Sequence, residues 1–277
     1  MLTIVQQPAI APTSVRFGVA QLRTGLRMQY VEQGDPAGEP LILLHGYTDS
    51  WYSYSRLLPP LAPGGYRVFA IDQRGHGCSD RPPRGYTTDD FAADVEAFMQ
   101  AVGLPRATLV GHSMGTLVAR RVAQRYPHRV TRLVTIGAIL AANAATHELQ
   151  LAVEYLEDPI PTEFVQEFQA STVYAPVPDS FFEGVVAESL KVPARVWKDA
   201  LAGVFASDDR ADLGKIAAPT LLLWGDRDAY FSRAEQDALV AGIPDAQLVV
   251  YPETGHCPHW ERPDRVARDL AAFLRTA

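Results

Sequence analysis

The stretch that decides the fold is Gly111-His-Ser-Met-Gly115, a G-x-S-x-G sequence. It follows an apolar, strand-like run over residues 107–110 and precedes a run with one apolar helical stripe over residues 116–125. In this context the motif predicts a sharp strand-to-helix turn that strains the central residue and exposes its side chain. The two glycines fit such a turn, because a Cβ at either place would collide with the neighbouring strand or helix. The sequence therefore predicts that Ser113 is a catalytic nucleophile.

Length and composition are those of an ordinary globular enzyme. The 277 residues are enough for one domain with an inserted subdomain. The net charge of −7 and the lack of a basic run argue against nucleic acid or an anionic membrane as a partner. Residues 1–10 carry no basic segment followed by a long apolar one, which predicts an unprocessed, cytoplasmic protein. No apolar run approaches the roughly 20 residues of a membrane span.

Cysteine and histidine positions give no sign of a bound metal or a disulfide framework. Cys78 and Cys257 are too few for such a framework, and we expect both thiols to be reduced. The histidines fall in separate loop motifs without the spacing of metal ligands. The sequence therefore predicts neither a metal nor another cofactor.

Strand-like and helix-like runs alternate along the chain, which predicts a mostly parallel sheet covered by helices on both faces. The first two strand-like runs flank a Thr-Gly pair and predict an N-terminal hairpin. The predicted strands are 15–22, 27–33, 41–44, 67–71, 107–110, 130–136, 220–224 and 247–251. The predicted helices outside the long gap described next are 53–61, 88–102, 113–126, 233–241 and 264–275.

Between about residues 141 and 213 the alternation stops, and the pattern is mostly helical with many aromatic residues and prolines. We interpret residues 141–212 as a helical cap inserted after the sixth strand, with residues 1–140 and 213–277 forming the core domain. Each aromatic residue taken alone is more typical of the cap's own core. Some of them must nevertheless face the sheet, because a cap needs an apolar underside.

A serine hydroxyl is a weak nucleophile at neutral pH, so Ser113 requires a base within hydrogen-bond reach. His256 follows the strand that ends at Tyr251, which places it at the carboxyl edge of the sheet, where Ser113 also lies. His259 is the competing histidine, at the start of the last helix. The sequence favours His256 as the base.

The base in turn requires an acid that orients it. Asp226 and Asp228 both follow the predicted strand 220–224. Asp228 is the better placed, because the turn at Gly225 must first carry the chain past the strand end and toward the histidine. The alternative acid position, after the sixth strand at residues 137–140, holds no carboxylate.

Acyl transfer also requires backbone N–H groups directed at the developing oxyanion. The residue after the nucleophile, Met114, is one expected donor. The other comes from the loop after the third strand, residues 45–51, where Gly46 lets the backbone approach the substrate. The N–H of Tyr47 is therefore the second expected donor.

With these motifs in the order serine, acid, histidine, the chain resembles the α/β-hydrolase superfamily over nearly its full length. The resemblance implies an eight-stranded, mostly parallel sheet with a helical cap after strand six, and a catalytic triad of Ser113, Asp228 and His256. Within the superfamily the chain is most similar to small bacterial esterases and lactonases, C–C bond hydrolases, cofactor-free haloperoxidases and proline iminopeptidases. The matching segments are 45–46 (His-Gly), 72–79 (Asp-Gln-Arg-Gly-His-Gly-Cys-Ser), 111–115, 225–228 (Gly-Asp-Arg-Asp) and 255–256 (Gly-His).

The resemblance also sets some substrates aside. Haloalkane dehalogenases and epoxide hydrolases of this fold attack with a carboxylate, where this chain has Ser113, so we expect neither a halide nor an epoxide as substrate. Proline iminopeptidases would need cap carboxylates, and C–C hydrolases would need polar or cationic groups. The cap has both kinds of charge, but they are more typical of a solvated surface: Glu154, Glu157, Asp158, Glu163, Glu167, Lys191, Arg195 and Lys198.

The leading hypothesis is a serine hydrolase of small to medium apolar acyl or aryl esters or lactones, with a small-molecule ester as its partner. The alternatives are an iminopeptidase-like enzyme, a C–C bond hydrolase, a perhydrolase, or a small-molecule receptor with slow or no turnover. Besides the cap aromatics, the residues expected to line the substrate pocket are Trp51, Ile139, Leu140, Tyr230 and Phe231.

Overall fold

The structure is a computed structural model, and it describes residues 15–275. Residues 1–10, from which the sequence predicts an unprocessed chain, lie outside the described residues. None of the described helices combines the length and the apolar character that crossing a membrane requires.

An eight-stranded sheet with the order β1-β2-β4-β3-β5-β6-β7-β8 forms the centre of the molecule. The hairpin β1–β2 is antiparallel, and β2 also runs antiparallel to β4. All other neighbouring pairs are parallel. The fold class predicted from the sequence is thereby confirmed. The strands are β1 Arg16–Gln21, β2 Arg27–Gly34, β3 Glu39–Leu44, β4 Tyr66–Ile71, β5 Ala107–His112, β6 Val130–Ile136, β7 Thr220–Gly225 and β8 Ala246–Tyr251.

Burial along the strands follows their place in the sheet. Every residue of the interior strands β5 and β7 is buried, as expected for strands that are covered by helices on both faces. The edge strands β1 and β8 have only one fully buried residue each. Since the parallel strands end at one edge, the loops that follow β3, β5, β7 and β8 come together there.

The helices outside the long gap agree with the predicted ones except near residue 53 and at the short helix α9, Pro258–Glu261, which the sequence pattern did not predict. One helix over 53–61 was expected, but the structure has a 3₁₀ turn at Trp51–Tyr54 and a short α1 at Leu58–Leu61. Pro59 and Pro60 explain the difference: both fit the first turn of a helix, whereas in a helix interior each would cost about 3 kcal/mol. The other helices outside the long gap are α2 Thr88–Ala101, α3 Met114–Arg125, α8 Arg233–Gly242, α9 Pro258–Glu261 and α10 Pro263–Leu274.

Four α-helices lie between β6 and β7, where the sequence predicts a cap; we call them the four-helix segment. Three of them begin directly after a proline, which fixes φ for the helical start: Pro161, Pro178 and Pro193. The segment packs on the loops at the carboxyl edge of the sheet, since the Tyr47 ring lies 5.4 Å from the Trp197 ring. The helices are α4 Ala144–Glu154, α5 Thr162–Ser171, α6 Asp179–Ser189 and α7 Ala194–Phe205.

Candidate active site

Ser113 stands between the end of β5 and the start of α3, in a strained backbone conformation. Its φ of 49° lies in the left-handed region, which residues other than glycine rarely adopt. A Cβ on Gly111 would lie 2.3 Å from the Gly115 carbonyl oxygen, and a Cβ on Gly115 would lie 2.1 Å from that of Leu44. Only glycine fits at both places, so the turn that holds Ser113 depends on this pair.

His256 and Asp228 form a buried hydrogen-bonded pair. The His256 Nδ1 atom lies 2.9 Å from Asp228 Oδ2, and the two side chains are 4% and 0% exposed. The other carboxylate oxygen, Oδ1, accepts hydrogen bonds from the backbone N–H groups of Tyr230, at 2.8 Å, and Phe231, at 3.1 Å. Because an ionised carboxylate can only accept, this contact favours the neutral tautomer of His256 that has its proton on Nδ1 and its lone pair on Nε2.

The end of β6 brings Ser113 and His256 to the same place. The N–H of Ser113 donates to the Ile136 carbonyl oxygen at 3.0 Å. A Cβ on the next residue, Gly137, would lie only 2.7 Å from His256 Nδ1, so the imidazole packs directly on the backbone there. Ser113 and His256 line one cavity.

The competing acid and base, Asp226 and His259, form no such hydrogen-bonded pair in the described chain. Asp226 is partly exposed, and its nearest charged partner is Arg227 at 3.8 Å. His259 is fully buried, its Nε2 atom lies 3.2 Å from the Ser53 hydroxyl, and burial lowers its pKa well below the usual value. Of the four side chains that the sequence left in competition, His256 and Asp228 are the two that the structure pairs.

Tyr47 and Met114 line the same cavity as Ser113. Met114 is the first residue of α3, where backbone N–H groups have no intrahelical acceptor. Neither its N–H nor that of Tyr47 donates to any acceptor within residues 15–275. The two N–H groups are thus available for a ligand, while the Tyr47 phenol is fixed by donating to the Trp197 carbonyl oxygen at 2.6 Å.

The cavity is small and narrow, with a volume of about 50 Å³. Of the residues expected to line it, Ile139, Tyr230 and Phe231 do so. Trp51 instead packs on Phe17, and Leu140 packs on the core. The lining also includes residues that sequence reasoning missed: Asp49, His112, Thr146, Leu149, Gln169, Thr172, Leu201, Val204 and Trp260.

A regular spacing could have identified part of this missed lining. Three helices of the four-helix segment, α4, α5 and α7, each contribute a pair at i and i+3, which lies on one helical face. The prediction that this segment lines the cavity rested on its aromatic residues, and these pairs contain none. The pairs are Thr146 with Leu149, Gln169 with Thr172, and Leu201 with Val204.

The titratable side chains of the cavity wall include Asp49, two histidines and Cys257. No lysine or arginine of the described chain is among the lining residues. Asp49 is 3% exposed and accepts hydrogen bonds from Ser53, at 3.2 Å, and from Gln169, at 3.3 Å. Cys257 also lines the cavity as a free thiol, and burial raises its pKa well above the usual value. Residues 15–275 contain no group of three or more side chains placed to hold a metal ion.

A protein-family model described as the alpha/beta hydrolase fold matches residues 39–210 and 191–263. The two ranges together cover most of the chain and include all three members of the expected triad. The protein therefore belongs to the α/β-hydrolase fold family, as the motifs around Ser113 predicted.

Similar proteins of this family differ in the reactions that their names describe. The 2-hydroxy-6-oxo-6-phenylhexa-2,4-dienoate hydrolase of Burkholderia cepacia is 30% identical over 267 residues, covering 86% of this chain and 88% of that protein. The bifunctional epoxide hydrolase 2 of Sus scrofa is 33% identical over 141 residues, 48% of this chain, and the match spans only 25% of that relative's length. Among solved structures, a hydrolase from Pseudomonas aeruginosa PA01 matches with a TM-score of 0.84 and 26% identity, covering 94% of this chain and 98% of that one.

Proposed function

We propose that this protein is a serine carboxylic-ester hydrolase that acts on small to medium, uncharged apolar acyl or aryl esters or lactones. The observation that carries the proposal is the 2.9 Å pair of His256 and Asp228, in one cavity with a serine held at a φ of 49°. In this proposal residues 141–212 act as a cap that closes the substrate cavity over the core domain.

The proposed reaction begins with attack of the Ser113 hydroxyl on the ester carbonyl while Nε2 of His256 takes its proton. Asp228 keeps the ring oriented and stabilises the imidazolium, and the N–H groups of Tyr47 and Met114 bind the oxyanion. His256 then gives the proton to the leaving alcohol, which leaves an acyl group on Ser113. Water attacks this ester by the same route and regenerates the free enzyme.

The lining of the cavity supports an uncharged substrate. Apolar side chains such as Leu149, Leu201 and Val204 favour an apolar acyl or aryl group. A carboxylate on the substrate would find no cation in the wall, and Asp49 would repel it. This disfavours the reaction of the Burkholderia cepacia relative, whose named substrate is a dienoate. The nucleophile position disfavours epoxide hydrolysis, because Ser113 stands where epoxide hydrolases have a carboxylate.

A chain-length series of nitrophenyl esters tests the proposal, with wild type, Ser113→Ala and Ser207→Ala compared. Ser207 is a buried serine outside the cavity lining, so its variant serves as the matched control. Loss of Ser113 should remove most of the roughly million-fold acceleration that a triad provides, because its members act as a unit. A fluorophosphonate should add its mass to wild type and to Ser207→Ala but not to Ser113→Ala.

Two results would count against the proposal. Near-native turnover by Ser113→Ala would exclude Ser113 as the nucleophile. Tight ligand binding, seen as a rise in Tm on ligand addition, without turnover of any ester would instead indicate a receptor.

A further inference from the structure

The loop that carries Tyr47 contains a strained residue whose partners come from the four-helix segment. Thr48 has a φ of 63° and is fully buried. A β-branched residue in the left-handed region costs about 1–3 kcal/mol and keeps that conformation only where its surroundings hold it. Because Thr48 directly follows Tyr47, relaxation of its backbone would move the N–H that Tyr47 presents to the cavity.

One amide from α5 contacts this loop at two successive residues. The Gln169 side chain is 1% exposed, and its Nε2 atom lies 3.3 Å from Asp49 Oδ1 and 3.5 Å from Thr48 Oγ1. The same Nε2 atom lies 2.7 Å from the Ser189 hydroxyl at the end of α6, and the Thr48 hydroxyl reaches that hydroxyl at 3.4 Å. The four residues form one buried polar cluster, which we call the Gln169 cluster.

Thr172, the residue that caps the C-terminal end of α5, contacts a second loop of the site as well. The Thr172 carbonyl oxygen accepts the backbone N–H of His256 at 2.9 Å. One turn of one helix thus reaches the loop of the proposed oxyanion donor through Gln169 and the loop of the proposed base through Thr172. No other helix of the described chain makes polar contacts with both loops.

The Gln169 cluster is also costly to disrupt. Asp49 is buried, and Gln169 and Ser53 are the two side chains that donate to its carboxylate within normal hydrogen-bond distance. His112 Nδ1 lies 3.8 Å away, too far for a hydrogen bond, and has no other partner in the described chain. Removal of the Gln169 amide would leave one oxygen of a buried carboxylate unsatisfied, which favours movement of the loop toward water.

We infer that Gln169 is a positioning residue that holds the Tyr47–Asp49 loop in the conformation that binds the oxyanion. The inference rests on the proposed function, since it assumes that the Tyr47 N–H stabilises a tetrahedral intermediate. Loss of a whole oxyanion donor costs about 100- to 1000-fold in kcat. Displacement of one donor by a relaxed loop should cost less, about 10- to 100-fold.

The test compares Gln169→Met, which keeps the length of the side chain and removes its polar atoms, with Gln33→Met. Gln33 is the matched control: it is 2% exposed, and its amide donates to the Leu58 carbonyl oxygen at 2.6 Å, outside the cavity lining. Each preparation is titrated with a fluorophosphonate so that rates refer to active molecules. In Gln169→Met we expect kcat to fall about 10- to 100-fold while KM changes by less than about threefold. Gln33→Met should keep the wild-type kcat.

A pair of inhibitors separates positioning from a general loss of structure. A trifluoromethyl ketone forms a bond to Ser113 Oγ; its carbonyl oxygen becomes the oxyanion, and the serine proton passes to His256. The matched methyl ketone stays trigonal and samples ground-state binding only. For Gln169→Met the Ki of the fluorinated ketone should rise by the same factor as kcat falls, while that of the methyl ketone stays constant.

The inference is overturned if kcat per active site is unchanged, or if kcat falls while the Ki of the fluorinated ketone does not move. Should Gln169→Met not fold, Ser189→Ala removes the hydroxyl at 2.7 Å from the Gln169 amide and is judged by the same two readouts, with a smaller expected loss. A wild-type protein that hydrolyses no ester overturns the proposed function itself. A wild-type esterase whose Gln169→Met variant behaves like wild type overturns this inference alone.

Discussion

Replacement of Asp228 by asparagine would exchange an acceptor for a donor at the atom that orients His256. The N–H groups of Tyr230 and Phe231 both point at Oδ1, so the amide oxygen of the asparagine will take that position. Its NH₂ group then lies at the place of Oδ2, 2.9 Å from His256 Nδ1. A donor there is compatible only with an unprotonated Nδ1, which moves the ring proton to Nε2. In that tautomer the histidine cannot accept the proton of Ser113.

The size of the effect follows from the charge that is lost. Two unit charges 2.9 Å apart attract by about 6 kcal/mol at an effective dielectric constant of about 20. This attraction stabilises the imidazolium in the transition state, and its loss corresponds to about a 10⁴-fold fall in kcat. The same substitution in a serine-protease triad has an effect of about that size.

The measurement is kcat with a nitrophenyl ester of the best chain length, alongside the melting temperature. Asp226→Asn is the matched control, because Asp226 belongs to the same turn and has no contact with His256. We expect it to stay within about twofold of wild type, as is usual for a partly exposed side chain. The reasoning is refuted if Asp228→Asn retains more than about a tenth of the wild-type kcat, or if Asp226→Asn loses as much.

Three further results are expected. Gly115→Ala would place a Cβ 2.1 Å from a backbone oxygen of β3, so it should sharply lower the yield of folded protein and its Tm. Gly214→Ala is the control: its Cβ would have no atom within 4 Å, and the yield and Tm should stay near those of wild type. A nitrophenyl hemisuccinate should be hydrolysed at least about tenfold more slowly than the butyrate, because the described cavity wall offers no cation to its carboxylate; equal kcat/KM values would contradict this. Burial lowers the pKa of His76 to about 4, so the unfolded chain takes up this proton first as the pH falls below about 6.5. The free energy of unfolding should therefore be lower at pH 5 than at pH 7 by about 2 kcal/mol on account of His76. Urea unfolding at the two pH values should show a smaller decline in His76→Phe than in wild type. An equal decline in the two proteins would contradict the lowered pKa of His76.

The parts of the structure that the sequence predicts are those that the backbone determines locally. The continuous apolar run of β7 is typical of a strand buried on both faces, and the glycines around Ser113 are required by contacts of their own Cβ positions. The pairing of Asp228 with His256 follows from the rule that parallel strands end at one edge of the sheet. Such features depend on short segments and on a general rule of topology, so a sequence is enough to place them.

The rest depends on how the four-helix segment is oriented on the core, which no local pattern specifies. The sequence predicts Trp51 in the cavity lining, yet in the structure Trp51 begins the 3₁₀ turn and its ring lies 5.3 Å from that of Phe17 on β1. Gln169 carries no motif, and its partner Asp49 lies 120 positions away in the sequence. Their contact exists only because α5 crosses this loop in the folded chain, so tertiary packing alone reveals it.

The cavity lining from the core and the lining from the four-helix segment are therefore expected to respond differently to mutation. The core supplies Ser113, His256 and Asp228 on loops that follow strands, whereas α4 and α7 supply the apolar side chains Leu149, Leu201 and Val204. Enlarging or shortening Leu149 or Val204 should thus change the preferred acyl chain with little change in kcat on the best ester. The last turn of α5 differs from both helices, because it lines the cavity and also contacts the loops of Tyr47 and His256. A substitution in this turn that changes substrate preference should therefore also lower turnover, which makes α5 the part of the segment where specificity cannot be altered without a cost in rate.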